Sequence, residues 1–153
     1  MSPSADHTSN QARAGGCRCG AVRYRAVGTP IWVAHCHCVD CRKSAGAAFV
    51  TWAAFKVDTF VWEQGAAKIF ASSPGVERSF CGTCGTPLTF TGTRWPGELH
   101  VQVATLDAPE SLEPRAHVNM AQALSWIHLA DGLRRYARTN AEGPPLPPRL
   151  GEA

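Results

Sequence analysis

The sequence has no long apolar run and no strong charge of either sign. No stretch approaches the roughly 18 apolar residues of a membrane-spanning helix, and the N-terminal MSPSADHTSNQARAGG lacks the apolar core of a signal peptide. We therefore expect a cytoplasmic protein with no membrane partner. The net charge of +3 is small, and no run of basic residues resembles a polybasic tail. We expect no nucleic-acid partner either.

Long helical patterns and internal repeats are also missing, while turn-forming residues are abundant. The chain holds 14 glycines and 11 prolines in 153 residues, which favours one small domain of short strands. In AVRYRAV, for example, Val22, Tyr24 and Ala26 alternate with two arginines, as in a half-buried strand. The fold class we predict is mainly β, a small antiparallel domain with short helical turns. Strands are predicted over 21–27, 31–36, 47–55, 59–63, 67–72, 76–81, 87–92, 99–106 and 116–120, and helical turns over 39–45 and 121–128.

The two ends of the chain differ from its middle. Residues 1–14 are small and polar, and we expect a disordered segment there. Residues 137–153 include PPLPP and are expected to form a Pro-rich flexible tail. The folded, zinc-binding domain is predicted over 15–136.

Seven cysteines occur in three clusters rather than scattered along the chain. The clusters are Cys17-x-Cys19, Cys36-x-Cys38-x-x-Cys41 and Cys81-x-x-Cys84. A reducing cytoplasm and an odd count argue against disulfides, and a redox pair would need a βαβ context that this chain lacks. No spacing matches a ferredoxin-type run. Sulfur ligands at these spacings predict zinc.

Seven ligands divide most economically into two zinc sites. The first and last clusters make four ligands together, a closed structural site: Cys17, Cys19, Cys81 and Cys84. The middle trio leaves one coordination position empty, as a catalytic zinc does: Cys36, Cys38 and Cys41. Alternatively, His35 or His37 completes the trio and both sites are structural. Side-chain alternation along a strand argues against that alternative.

Five segments together resemble the glutathione-dependent formaldehyde-activating enzyme family, which is related to the centromere protein V domain. They are GGCRCGAVRYRA, HCHCVDCRKSAGAAF, SSPGVERSFCGTCGTPLTF, TLDAPE and ADGLRRY, from about Gly15 to about Tyr136. The resemblance implies a β-tent fold and two Zn²⁺ per chain, with the same division of the cysteines. It also implies a carbon–sulfur lyase activity, the formation of S-(hydroxymethyl)glutathione from formaldehyde and glutathione. One departure is ADGLRRY, where the family leads us to expect a proline after Leu133.

The expected partner is a small-molecule thiol, glutathione on this resemblance, and the chain is expected to be a monomer or a homodimer. Zinc at the trio either holds the thiol sulfur or polarises the carbonyl oxygen. Candidate cations for the glutathione carboxylates are Arg42, Lys43 and Arg78. Candidate proton carriers are His35, His37, His100, His117 and His128. The alternative function is a non-catalytic, zinc-stabilised binding module.

Overall fold

The computed structural model describes residues 11–148, whose regular elements are short strands and one seven-residue helix. The strands belong to two sheets, which confirms the expected small, mainly β fold. The elements are β1 (Ala12–Gly16), β2 (Arg23–Val27), β3 (Trp32–Cys36), α1 (Val39–Ala45), β4 (Val50–Lys56), β5 (Phe60–Gln64), β6 (Lys68–Ser73), β7 (Val76–Phe80), β8 (Pro87–Gly92), β9 (Glu98–Gln102), β10 (Ala116–Val118) and β11 (Arg134–Arg135). Over this described part, no helix is long and apolar enough to cross a bilayer.

The first of two compact units comprises residues 11–31 and 53–112. Here β2 pairs antiparallel with β1 and β5, and β6 to β9 follow one another in antiparallel order. The alternation expected for β2 is present, since Val22, Tyr24 and Ala26 are buried. The Tyr24 ring stacks on Phe60 with centroids 5.3 Å apart. Burying this aromatic pair stabilises the unit.

The second unit comprises residues 32–52 and 113–148. In it, β10 runs parallel to both β3 and β11, whereas we expected antiparallel pairing. Parallel pairing needs a long connection, and about 80 residues separate β3 from β10 along the chain. The largest fully buried side chains in this unit are the imidazoles of His37 and His117. Because buried polar side chains are almost always hydrogen-bonded, we expect specific partners for these two imidazoles.

Several boundaries differ from those expected from the sequence. Residues 12–14, which we placed in the disordered segment, belong to β1. Over 121–128 a 3₁₀ turn at Met120–Gln122 replaces the predicted helical turn. Residues 137–148 form no helix or strand, and the Leu146 backbone N–H donates to the Arg135 carbonyl at 2.7 Å. The rest of both terminal predictions, 1–10 and 149–153, lies outside the described residues. The flexible tail and the single domain over 15–136 stay predictions.

Candidate metal centres

Four cysteine sulfurs of the first unit meet in one cluster, which we call the four-cysteine cluster: Cys17, Cys19, Cys81 and Cys84. All four Sγ atoms lie within 4.8 Å of one another. Cys19 Sγ is 3.5 Å from Cys17 Sγ and 3.8 Å from Cys81 Sγ. Sulfurs bound tetrahedrally to zinc at about 2.3 Å are separated by about 3.8 Å. The spacing therefore fits a tetrahedral metal ion.

The turn after β7 aims backbone N–H groups at sulfur. Thr83 N and Cys84 N point at Cys81 Sγ from 3.4 and 3.5 Å. Gly85 continues the turn with φ +77°, a conformation that favours glycine, and its N–H donates to the Cys81 carbonyl at 2.9 Å. On the other side, Val22 N donates to Cys17 Sγ at 3.2 Å. These donors stabilise negative charge on the sulfurs.

The thiols of this cluster differ in acidity. A hydrogen bond with the Thr86 hydroxyl, 3.1 Å away, lowers the pKa of Cys84 to about 5. The Ala21 backbone N–H lowers the pKa of Cys19, but neighbouring thiols outweigh it and raise that pKa to about 11. Four thiolates held this close repel one another. A bound cation would allow all four to ionise together.

The second unit holds the three-cysteine cluster: Cys36, Cys38 and Cys41. Cys36 ends β3 and Cys38 is the N-cap of α1, whose first turn carries Cys41. The helix ends at Gly46, which has φ +62°. Cys36 and Cys41 are buried, while Cys38 is partly exposed. This short helix brings three sulfurs within 4.8 Å of one another and leaves one of them at the surface.

Each sulfur of the three-cysteine cluster receives at least one N–H group. The donors are Trp52 Nε1 to Cys41 at 3.4 Å, Asn119 Nδ2 to Cys36 at 3.3 Å, and the Cys41 backbone N–H to Cys38 at 3.3 Å. Hydrogen bonding among the three thiols, followed by burial, raises the pKa of Cys36. The pKa of Cys41 is raised as well, so without a cation these two buried thiols resist ionisation, although N–H groups surround them that would stabilise charged sulfur. The donor set therefore fits a divalent metal ion.

Two of these donors were not predicted from the sequence. Trp52 lies on β4, where it is 4% exposed, so its indole packs in the core and also donates to Cys41. Asn119 has φ +58°, a backbone conformation that asparagine tolerates better than most residues. Gln122 is a further contact, because its side-chain oxygen accepts from Val39 N at 2.9 Å. No sequence spacing points to any of the three.

The histidines separate into two groups. His35, His37 and His117 lie together in the second unit, where rings 35 and 37 contact ring 117 at centroid distances of 4.9 and 5.2 Å. His37 Nε2 is 2.9 Å from His117 Nδ1, and His117 Nε2 is 2.8 Å from Asp131 Oδ2.

The other two candidate histidines lie elsewhere. In the first unit, His100 Nε2 bonds to Glu98 at 2.9 Å. His128 is exposed. The structure therefore gathers three of the five candidate proton carriers.

The candidate cations have different surroundings. Arg42 donates to the carbonyls of His37 at 3.3 Å and Gln122 at 3.1 Å. Lys43 is exposed in the last turn of α1. Arg78, in the first unit, lies 5.0 Å over the Phe90 ring. Of the three, Lys43 is the exposed cation, and it lies on the helix that carries Cys41.

Known proteins share both the sequence and the fold. A provisionally named glutathione-dependent formaldehyde-activating enzyme of Halomonas elongata is 32% identical over 126 residues, covering 75% of this chain and 79% of the relative. An uncharacterised lyase of Schizosaccharomyces pombe is 32% identical over 79 residues, which cover 52% of this chain and 57% of the relative. A Rhodobacter sphaeroides crystal structure has the same fold, with a TM-score of 0.54 at 24% identity over 67% of this chain and 92% of that one. Because the sequence model of that family also matches residues 12–122, this chain belongs to the glutathione-dependent formaldehyde-activating enzyme family.

Proposed function

We propose that the protein is a zinc-dependent carbon–sulfur lyase that forms or cleaves adducts of a thiol with an aldehyde. The thiol is glutathione or a close relative, and the founding reaction of the family is the reference case. The observation that carries the proposal is the three-cysteine cluster, in which every sulfur receives an N–H donor while Cys38 lies partly at the surface. Three protein ligands with an accessible side are the arrangement of a catalytic zinc site.

The two clusters receive different roles in this proposal. The four-cysteine cluster holds a structural zinc, and the three-cysteine cluster, Cys36, Cys38 and Cys41, holds the catalytic one. A zinc ion there supplies a Lewis acid with a position for a thiol sulfur or a carbonyl oxygen. All-sulfur ligands favour zinc over the hard divalent cations.

The protein's own residues organise this chemistry. Trp52 and Asn119 hold the sulfurs of Cys41 and Cys36 by N–H donation, which fixes their direction and lowers their charge density. Arg42 ties α1 to the carbonyls around it. Lys43 offers an ammonium to a glutathione carboxylate. In the overall reaction the S–H bond breaks, a C–S bond forms, and the proton reaches the former carbonyl oxygen.

The cellular setting follows from the thiols. All seven cysteines are free thiols, and each belongs to one of the two sulfur clusters, which must stay reduced to bind a metal. We place the activity in the cytoplasm, where thiols stay reduced. The monomer or homodimer stays a prediction.

Exchange NMR of formaldehyde and glutathione tests the activity, with the uncatalysed reaction as baseline. The expected result is acceleration by the zinc-loaded protein that is lost in Cys38→Ser, which leaves the four-cysteine cluster intact. Metal analysis should show one zinc fewer in that variant. A Cys38→Ser protein that is folded and equally active would refute the assignment. A protein that binds two zinc ions but accelerates nothing would support the binding module instead.

A second comparison tests Lys43. In Lys43→Gln, the KM for glutathione should rise several-fold, because a solvent-exposed charge pair contributes about 0.5–1 kcal/mol. The KM for a neutral thiol such as 2-mercaptoethanol should not change. Lys56→Gln is the matched control, since Lys56 is an exposed lysine of the first unit. Equal effects on both thiols would remove Lys43 from the substrate site.

A further inference from the structure

Two imidazoles and a carboxylate form a third cluster of metal-binding groups in the second unit, which we call the histidine–aspartate cluster: His35, His117 and Asp131. One ligand atom from each residue lies within 4.8 Å of the others. Two histidines with one carboxylate form a donor set for divalent transition metals such as zinc and iron(II). Sulfur takes no part in it.

The strand register places this cluster apart from the cysteines. His35 of β3 is the register partner of His117 of the parallel strand β10, and their rings lie 4.9 Å apart. Cys36 and Val118 form the next register pair. Because successive side chains of a strand point to opposite faces, the imidazoles and Cys36 lie on opposite faces of this ladder. The histidine–aspartate cluster is therefore separate from the three-cysteine cluster.

The second nitrogen of each imidazole already has a partner. His35 Nδ1 is 2.8 Å from Thr51 Oγ1, and His117 Nδ1 is 2.9 Å from His37 Nε2. Histidines that bind metal through one nitrogen almost always donate from the other to a neighbouring group, which fixes the ring and its tautomer. Both rings are held in this way, so Nε2 is the nitrogen that each can offer to an ion.

The carboxylate is oriented as well. Asp131 Oδ2 lies 2.8 Å from His117 Nε2, while Oδ1 accepts from the Leu133 N–H at 3.1 Å. The Asp131 side chain is 34% exposed, whereas that of His117 is fully buried. An ion can thus arrive from solvent at Asp131 and meet a ring that is already fixed.

We propose that His35, His117 and Asp131 form a third metal site, for a divalent transition ion. The ligands are Nε2 of each histidine and a carboxylate oxygen of Asp131. Ligands bound tetrahedrally at about 2.0–2.1 Å are separated by about 3.3 Å. The Nε2–Oδ2 pair must therefore open by about 0.5 Å and the widest pair close by at most about 1.5 Å. The exposed Asp131 can make this movement. Three protein ligands leave at least one position for water or another small ligand.

Cobalt(II) binding to protein that has been loaded with two zinc ions, one at each cysteine cluster, tests this site. We expect one additional Co²⁺ per chain, with weak visible bands and no sulfur-to-cobalt charge transfer, because the ligands are nitrogen and oxygen. Charge-transfer absorption would show exchange at the cysteine clusters and would contradict the proposal. Absence of any uptake would overturn it.

Variants locate the ion. Asp131→Asn and His35→Gln should each weaken Co²⁺ binding by roughly 100-fold or more, since even an outer partner of a metal site contributes about 10–100-fold. Asp58→Asn removes another exposed carboxylate, in the first unit, and should leave binding unchanged. In the parent, ¹⁵N NMR should show shifts at Nε2 of His35 and His117 when zinc is added beyond the two ions that fill the cysteine clusters. Uptake that persists in folded Asp131→Asn with both cysteine sites loaded would place the ion elsewhere.

Discussion

Replacing Trp52 by phenylalanine should weaken metal binding at the three-cysteine cluster. The indole Nε1–H donates to Cys41 Sγ at 3.4 Å from a side chain that is only 4% exposed. Phenylalanine keeps an aromatic ring in the core but has no donor. The charge on the metal-bound sulfur would then lose one of its stabilising contacts.

Two costs of this substitution can be separated. The smaller ring leaves a void, which should lower the free energy of unfolding by about 1 kcal/mol with and without metal. A hydrogen bond to a charged group contributes about 1.5–3 kcal/mol, and only the metal-loaded state carries charge on all three sulfurs. At about 1.4 kcal/mol per tenfold change, zinc should bind roughly 10- to 100-fold more weakly.

Competition against a chromophoric chelator measures this loss, and thiol alkylation followed by mass spectrometry identifies which cysteines each zinc ion leaves. Trp126→Phe is the matched control, because Trp126 is 66% exposed and belongs to the same unit. Zinc at the four-cysteine cluster should bind as before in both variants. An unchanged affinity at the three-cysteine cluster of Trp52→Phe would refute the role of the indole.

Substitutions at three further positions test other features. Asn119→Gly keeps the backbone at φ +58° but removes the side-chain amide, so it should weaken zinc binding at the three-cysteine cluster with little loss of stability. Asn119→Ala should lower the free energy of unfolding, measured by urea denaturation, by about 1 kcal/mol more than Asn119→Gly, because alanine is strained at this φ. Equal stability of the two variants would contradict the backbone argument. Tyr24→Phe removes a 2.7 Å hydrogen bond to Thr105, so Tm should fall by about 2–4 °C for a loss of about 1 kcal/mol; an unchanged Tm would show that bond to be neutral. Burial lowers the pKa of His100 in the folded chain. As the pH decreases below about 6.5, the unfolded chain therefore takes up a proton that the folded chain resists, and the free energy of unfolding decreases. His100→Gln should show a shallower fall between about pH 7.5 and about pH 5.5; parallel curves would contradict this.

Local chemistry made part of the site predictable. The sequence predicts a helical turn over 39–45, and α1 spans Val39–Ala45. Gly46 follows with φ +62°, and a glycine at this position is a local signal for the end of a helix. The sulfurs also come together in the two groups that their spacing indicated. A C-x-x-C turn needs only its own backbone to bring two thiols together.

Contacts between distant segments were not predictable in the same way. Trp52 and Asn119 lie 11 and 83 residues from the cysteines whose sulfurs they contact, and no periodicity encodes such pairs. Strand β1, ARAGG, lacks apolar alternation and depends on pairing with β2. A side chain at Gly15 would place its Cβ 2.6 Å from the Tyr24 ring, so the glycine is explained by a tertiary contact.

The register between β3 and β10 explains why histidine and cysteine alternate in residues 35–38 (HCHC). His35 is the register partner of His117, and Cys36 is that of Val118, so imidazole and sulfur go to opposite faces. A slip of one residue would send Cys36 toward the imidazoles and His35 toward the sulfurs, which would break both donor sets at once. The buried contact of His37 with His117 and the Asn119 bond to Cys36 both require the observed register. The three-cysteine cluster and the histidine–aspartate cluster therefore require the same strand pairing. Metal binding at either cluster should stabilise that pairing and, with it, the other cluster.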